Sequence, residues 1–263
     1  MFHTPTHSSL FKKKEARMSN IRRAFNYVTR YNATGTANEV TRRLWVEKVL
    51  GDLPAGLRLL DAGAGEQQYR KLCGHLTYVS QDFGQYNGVG DSAGLQMGNW
   101  DNSNLDIVSD ITNIPAPDAS FDVVLCTEVF EHLPDPISAI REFSRLLKPG
   151  GQLIVTAPFC SLTHFAPYHF YSGFNRYFYE KHLKDAGFSD LQIEYNGNYF
   201  EFVAQEVRRV EDVAASYGAR PKIRFYERLV IWLLLGMLRR LSRHDKGSED
   251  LLHFGCHVRA IKN

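Results

Sequence analysis

The sequence predicts an α/β fold built on a doubly wound, mainly parallel sheet. Apolar strand-like segments alternate with helix-like segments between residues 57 and 188. Phe121 to Thr127 is a nearly continuous apolar run, which is typical of a strand that is covered on both faces. Strands that are separated by helices pair in parallel through right-handed crossovers. These observations favour a sheet with helices on both sides.

Composition sets broad limits on the class of protein. The chain has 263 residues, of which 44% are hydrophobic and 23% charged, so it can form a substantial core and is not wholly disordered. No apolar run reaches the roughly 18 residues of a conventional membrane-spanning helix. The four cysteines are far apart and form no C-x-x-C pair. Cys126 and Cys160 lie in or beside apolar strands, so we expect buried free thiols in a reducing, cytoplasmic compartment.

Positive charge is concentrated at the N-terminus. Residues 1–30 carry seven Lys and Arg against one Glu, and we interpret them as a basic, solvated tail before a domain at 31–263. Contact with phosphates or an anionic surface is the alternative interpretation. No segment resembles an RNA-binding module, so no nucleic-acid partner is expected.

The order of elements predicts where the sheet begins and where it is interrupted. Strands are predicted at 57–62, 77–81, 105–109, 121–127, 152–157, 190–195 and 254–261, and helices at 66–75 and 135–147. Gly84 to Asn104 contains five Gly and four Asn, which predicts a long loop where a crossover helix would be expected. Residues 199–250 are predicted to be a helical insertion before the last strand, with helices at 199–216 and 223–243.

The first predicted strand ends in the motif LLDAGAGE, which is typical of a nucleotide-binding turn. Gly63 and Gly65 have no side chains, so the backbone can bend sharply and approach a ligand. The helix predicted from residue 66 would point its N–H groups at that ligand. A dinucleotide fingerprint would place a third glycine at position 68, where this chain has Gln68. A nicotinamide oxidoreductase is therefore disfavoured.

Acidic residues follow the next strands. Asp82 ends the second predicted strand, where a carboxylate can accept hydrogen bonds from both hydroxyls of a ribose. Asp110 follows the third strand and could accept a hydrogen bond from the amino group of an adenine, with Ile111 against the adenine ring. Glu128 follows the fourth strand, where the reactive group of a ligand is expected.

Five segments occur in order: LLDAGAG, an acid after the second strand, SDIxxIP, SFDVVLCTEVFEHL and LLKPGGxLIVTAPF. This set resembles the class I S-adenosylmethionine-dependent methyltransferases, close to the type 11 group, over residues 57–188. The resemblance implies a Rossmann-like sheet of seven strands with the last antiparallel, and S-adenosyl-L-methionine as cofactor. It implies that Gly63 and Gly65 face the methionine end, and that Glu128 and His132 flank the methyl group. The predicted cofactor-binding residues are Asp61, Gly63, Ala64, Gly65, Asp82, Phe83, Asp110, Ile111, Thr127 and Glu128.

Three histidines are the predicted catalytic residues: His132, His164 and His169. His132 follows the fourth strand, and a structural contact at the loop start is its alternative role. His164 and His169 lie in Cys160 to Tyr179, which also holds four Tyr and four Phe. This segment is either a packed aromatic lid or an acceptor pocket in which a histidine binds or deprotonates a hydroxyl. No metal is expected, because His164 and His169 have no clear acidic partner in the sequence.

The predicted function is methyl transfer to a small-molecule or glycan acceptor, at a hydroxyl. N-methylation and a non-catalytic, methyltransferase-like binding scaffold are the alternatives. Within the predicted helix at 223–243, the segment 229–235 is apolar on every face and is bracketed by arginines. The helix is interpreted as a buried insertion helix or a homodimer interface, and alternatively as a peripheral contact with an anionic membrane.

Overall fold

The computed structural model describes residues 33–218 and 223–263. The basic tail predicted at 1–30 lies outside these residues. The chain divides into two compact units. One consists of Asn38–Tyr199 and Gly247–Asn263, and the other contains Phe200–Lys246 with residues 33–37.

The larger unit contains a single mixed sheet. Its strands are β1 (Arg58–Ala62), β2 (Thr77–Asp82), β3 (Ile107–Val108), β4 (Phe121–Thr127), β5 (Leu147–Pro158), β6 (Phe188–Asn196) and β7 (Gly255–Lys262). The strand order is β3-β2-β1-β4-β5-β7-β6. The first five strands pair in parallel, and β7 runs antiparallel between β5 and β6. The predicted seven-stranded sheet with an antiparallel last strand is confirmed.

Apolar side chains on both faces of the central strands explain why helices pack on each side. The helices of this unit are α1 (Asn38–Gly51), α2 (Pro136–Leu146) and α3 (Arg176–Asp185). Leu60 of β1 packs with Ile140 and Phe143 of α2, whereas its neighbour Leu59 packs with Leu50 of α1. Successive strand residues point to opposite faces, so two separate cores form.

The helix predicted at 66–75 is wrong. The structure has turns there and a short 3₁₀ helix at Arg70–Leu72. Gln67 has a left-handed φ of 58°, which interrupts any continuous helix, and its side-chain Nε2 donates to the carbonyl of Asn104 at 2.8 Å. No α-helix N-terminus therefore follows the glycine turn.

The long loop predicted at 84–104 has no helix and packs against the histidine-rich segment. The N–H of Leu95 donates to the carbonyl of Thr163, and the N–H of Phe165 donates to the carbonyl of Leu95, each at 3.0 Å. A Cβ atom on Gly90 would collide with the carbonyl oxygen of Ala166. The two unusual segments thus hold each other in place.

The smaller unit contains the two helices of the predicted insertion. These are α4 (Tyr199–Tyr217) and α5 (Phe225–Ser242), which bury Ala204, Leu235 and Leu238 in a small core of their own. Among the residues that the structure describes, no helix is long and apolar enough to cross a membrane.

The cysteine prediction is partly wrong. Cys126 is a buried free thiol on β4, as expected, but Cys160 is exposed. Cys160 lies just after β5 ends at Pro158, so it is no longer covered by the helices that flank the sheet.

Candidate active site

The glycine turn lies at the carboxyl end of β1. The N–H groups of Gly63 and Ala64 both donate to the carbonyl of Gln81, each at 2.8 Å. Gly63 and Gly65 have left-handed φ angles of 76° and 48°. A Cβ atom on Gly63 would lie 2.5 Å from Cγ2 of Val129. Both the backbone conformation and the close packing therefore require glycine here.

Asp61 lies directly before this turn and is 2% exposed. The hydroxyl of Tyr78 donates to its Oδ2 at 2.6 Å. Burial, with a smaller contribution from the charge of Asp82, raises the pKa of Asp61 to about 7. The carboxyl group therefore keeps its proton to a higher pH than an exposed aspartate does.

Asp82 connects the end of β2 to the turn. Its Oδ2 accepts the N–H of Gly65 at 3.1 Å, and its Oδ1 accepts the N–H of Gly84 at 2.9 Å. Burial raises the pKa of Asp82, and these backbone hydrogen bonds oppose that effect. The next residue, Phe83, packs edge-on against Tyr168 with ring centroids 4.9 Å apart. Asp82 thus holds two backbone segments at the place where the sequence predicts ribose contacts.

The two residues predicted to bind adenine have different environments. Asp110 is exposed, and its Oδ1 accepts both the N–H and the hydroxyl of Thr112 at 2.8 Å. Ile111 is 6% exposed and belongs to the core cluster on the α2 side of the sheet. Asp110 remains open to solvent at this edge, whereas most of Ile111 is covered by protein.

Glu128 has a strained backbone at the end of β4, after the buried Thr127. Its φ is 54°, in the left-handed region that non-glycine residues seldom adopt. Arg42 donates to its Oε2 at 2.8 Å, and the hydroxyl of Thr156 donates to its Oε1 at 2.9 Å. These two contacts hold the Glu128 carboxylate in one position.

The fold brings the three predicted catalytic histidines together. The ring centroid of His164 lies 4.7 Å from that of His132 and 4.9 Å from that of His169. Glu131 joins them: its Oε1 is 3.8 Å from Nε2 of His132 and 3.9 Å from Nε2 of His164. Sequence reasoning missed Glu131 as a site residue. Its position directly before His132 was the signal that could have found it.

Hydrogen bonds determine which nitrogen of each histidine faces the cluster. Nδ1 of His132 lies 2.5 Å from the carbonyl of Tyr168, and Nδ1 of His164 lies 2.8 Å from the carbonyl of Leu162. A carbonyl only accepts, so each Nδ1 carries the proton and, in the neutral ring, each Nε2 presents a lone pair.

Burial keeps charge low in this cluster. Burial, with smaller contributions from the neighbouring His164 and His169, lowers the pKa of His132 to about 3. Burial and the nearby charge of Glu128 raise the pKa of Glu131 well above its ordinary value. The pKa of His169 is also lowered, by burial and by His164. Burial thus disfavours the charged forms of His132, His169 and the Glu131 carboxyl group.

Aromatic side chains connect the glycine turn to the histidines. Trp100 lies against Gly65, and its ring centroid is 5.4 Å from that of Phe165. Phe165 in turn lies 5.0 Å from His132. Tyr86 completes the cluster, 4.5 Å from Phe165. Sequence reasoning missed Trp100, because a tryptophan in a polar loop carries no signal of what it will pack against.

Comparisons with known proteins agree with this architecture. Residues 60–155 match the family described as methyltransferase domain. The chain is 36% identical over 127 residues to 27-O-demethylrifamycin SV methyltransferase of Amycolatopsis mediterranei, covering 46% of each chain. It is 32% identical over 112 residues to phosphoethanolamine N-methyltransferase 1 of Arabidopsis thaliana, covering 40% of this chain and 23% of that protein. The match therefore spans less than half the length of these curated relatives.

A solved structure shares the fold over most of the chain. The S-adenosylmethionine-dependent methyltransferase of Archaeoglobus fulgidus superposes with a TM-score of 0.52 at 16% identity, covering 90% of this chain and 100% of that one. The family match includes the glycine turn, β2 and β4, which position the residues described above. Residues 60–155 are therefore similar in sequence to the methyltransferase domain family, and the solved structure shares the fold.

Proposed function

We propose that this protein transfers a methyl group from S-adenosyl-L-methionine to a hydroxyl of a small-molecule or glycan acceptor. The observation that carries the proposal is the joining of His132, His164 and His169 through aromatic contacts to the Gly63–Gly65 turn. A donor turn and a group of proton acceptors at one edge of the sheet suit transfer to an oxygen that must lose its proton.

The donor would bind along the carboxyl ends of β1, β2 and β4. The backbone at Gly63–Gly65 would approach the methionine part, and Asp82 and Asp110 would accept hydrogen bonds from the nucleoside. The sulfonium and ammonium groups of the donor are cations, so Asp61 and Glu128 suit them electrostatically. The sulfonium is already an activated leaving group, so holding the acceptor in line with the methyl carbon could contribute about 7–11 kcal/mol.

The reaction would be a single displacement. The acceptor oxygen forms a bond to the methyl carbon as the carbon–sulfur bond breaks, and the electron pair stays on sulfur in S-adenosylhomocysteine. The hydroxyl proton passes to a histidine. A pKa of about 3 makes His132 a weak base, so we assign the proton to His164 or His169 and give His132 a positioning role.

Other acceptors make different demands on these residues. Relatives of this chain bear the names of both O- and N-methyltransferases. An amine acceptor needs a general base only if its proton must leave early, so N-methylation would leave the histidines with a binding role. A methyltransferase-like scaffold without activity is the remaining alternative.

Calorimetric titration tests the donor assignment directly. Folded protein freed of co-purified ligand should bind S-adenosylmethionine and S-adenosylhomocysteine with one-to-one stoichiometry. Absence of binding to either would favour the scaffold. Transfer of a labelled methyl group to glycan, lipid-linked and small-molecule extracts would then find the acceptor, and mass spectrometry of the product would distinguish O- from N-methylation.

We further propose that the protein works in the cytoplasm and contacts anionic membrane through α5. Tyr226, Leu229, Val230, Leu233 and Met237 are all exposed and recur at a spacing that places them on one helical face. Basic residues bracket this stripe: Arg224, Arg228, Arg239, Arg240 and Arg243. Such a helix suits the interface of an anionic bilayer, and a homodimer contact through the same stripe is the competing explanation.

A further inference from the structure

The cluster of Glu131, His132 and His164 has the composition and geometry of a metal site. Each residue offers one ligand atom, and these three atoms all lie within 4.8 Å of one another. We propose that Glu131, His132 and His164 form a binding site for one divalent transition-metal ion of the zinc class. The sequence had suggested no metal, because the pair His164 and His169 lacked an acid. The fold instead pairs His164 with His132 and supplies Glu131.

Unsatisfied buried atoms point to a missing ligand. Oε2 of Glu131 and Nε2 of His132 are both buried and have no hydrogen-bond partner, and Glu131 is 1% exposed. Buried polar atoms are almost always paired, so two unpaired atoms on neighbouring side chains require an explanation. A cation between them would satisfy both.

The two histidines are already oriented as metal ligands. Nδ1 of His132 donates to the carbonyl of Tyr168 and Nδ1 of His164 to the carbonyl of Leu162, which directs both Nε2 lone pairs towards Glu131. Metal-binding histidines characteristically donate their second nitrogen to such a carbonyl. These contacts provide the outer support of a metal site.

Two of the three ligand spacings require only a small contraction. Tetrahedral zinc with bonds of about 2.0–2.1 Å places its ligand atoms roughly 3.4 Å apart. Oε1 of Glu131 lies 3.8 Å and 3.9 Å from the two Nε2 atoms. Side-chain shifts of a few tenths of an ångström would close these two distances.

The ligand set indicates the kind of ion and its accessibility. Two imidazoles and one carboxylate suit zinc or a related transition metal, whereas magnesium and calcium prefer oxygen ligands. Three protein ligands leave a coordination position open, as in catalytic zinc sites. An ion here would bind the acceptor hydroxyl and ease loss of its proton, which would pass to His169 because both nitrogens of His164 would be engaged. This role rests on the proposed function, but the site itself does not.

Metal binding can be measured without donor or acceptor. Protein dialysed against a chelator should take up one Zn²⁺ at this cluster, seen by calorimetry and elemental analysis, and Co²⁺ should give a visible absorption band. E131Q and H164N should each weaken Zn²⁺ binding at least tenfold. Thermal melts without metal establish that each variant is folded. If E131Q fails to fold, H164N carries the test, because the His164 side chain is partly exposed.

Two histidines provide matched controls. Nε2 of His169 is 3.1 Å from the hydroxyl of Ser161, so H169N should retain Zn²⁺ affinity within about twofold. H244N, at an exposed site, should do the same. Zn²⁺ binding by folded wild-type protein that survives in both E131Q and H164N would overturn the proposal. The proposal would also be overturned if folded wild-type protein bound no Zn²⁺. An H169N variant that lost as much Zn²⁺ affinity as E131Q and H164N would overturn it too.

Because these titrations contain no methyl donor, failure of the metal site is distinguishable from failure of the proposed function. Protein that binds S-adenosylmethionine but no Zn²⁺ would refute only the metal site.

Discussion

Trp100 lies so close to Gly65 that a Cβ atom at residue 65 would be 2.5 Å from Cζ2 of the indole. The contact joins the turn after β1 to the glycine-rich loop at 84–104. That loop in turn pairs with the segment that carries His164. The predicted donor turn and the histidine cluster therefore belong to one connected structure.

Gly65→Ala should destabilise the protein more than Gly56→Ala. Both glycines have left-handed φ angles, which cost alanine about 1 kcal/mol. Gly56 has no atom within 4 Å of its Cβ position, whereas Gly65 meets Trp100, and such overpacking adds about 1–3 kcal/mol. Urea denaturation measures both variants. Equal losses would mean that the indole moves aside freely.

The buried carboxyl group of Asp61 should make the free energy of unfolding decrease as the pH rises from about 4 to 7. The pKa of Asp61 is about 7 in the folded chain against an ordinary value of 3.8, so between pH 4 and 7 the unfolded state loses the proton first. Ionisation therefore favours unfolding, by about 4 kcal/mol across this window. Asp61→Asn should flatten the dependence of unfolding free energy on pH in denaturant titrations. Parallel curves for the two proteins would contradict the buried, proton-retaining carboxyl group.

Asp82→Asn should weaken donor binding more than Asp110→Asn. The Asp82 carboxylate accepts the N–H groups of Gly65 and Gly84 through different oxygens, and an amide has only one oxygen to offer. The substitution also removes the charge that the proposed hydrogen bonds from the ribose rely on, and loss of one such charge-assisted bond to the donor costs about 1.5–3 kcal/mol, or roughly 10- to 100-fold in affinity. Calorimetry with S-adenosylhomocysteine measures both variants. Unchanged affinity in Asp82→Asn would refute its place in the donor site.

His169→Ala should reduce turnover more than donor affinity. His169 lies beside His164, with its Nε2 near the hydroxyl of Ser161, so its loss would affect the acceptor side of the site. Once an acceptor is known, general-base catalysis predicts a decrease of about 10²–10⁴-fold in kcat. Equal loss of turnover and donor binding, with a lower Tm, would instead support a packing role for the aromatic segment.

The exposed stripe on α5 should bind anionic vesicles. Replacing Leu229 and Leu233 by Ser removes apolar area from this face. The double variant should sediment less with phosphatidylserine-containing vesicles. The small amount of protein that sediments with neutral vesicles should stay the same. Leu251→Ser, at a site that is 74% exposed, is a control for the chemical change. Wild-type protein that does not bind vesicles but forms a dimer by light scattering would favour the homodimer interface.

Local patterns predicted the strands better than the connections between them. Phe121–Thr127 was predicted to the residue, because a strand covered on both faces has an unmistakable apolar run. The helix at 66–75 failed because Gln67 adopts a left-handed conformation and bonds to Asn104, far away in the chain. Propensity within a segment carries no information about such a partner.

Some features of the candidate site could likewise be predicted from local sequence, and others could not. The motif around Gly63 and Gly65, the acids at the ends of the second and third strands, and most of the strands were determined by the sequence by itself, because turn geometry and hydrophobic periodicity are local. Only the tertiary structure placed Trp100 on Gly65 and brought Glu131 between His132 and His164. The contacts of Trp100 with Gly65 and of Glu131 with His164 join segments distant in sequence, and they depend on how the loop at 84–104 packs against the segment after β5. Short-range spacing cannot encode that packing.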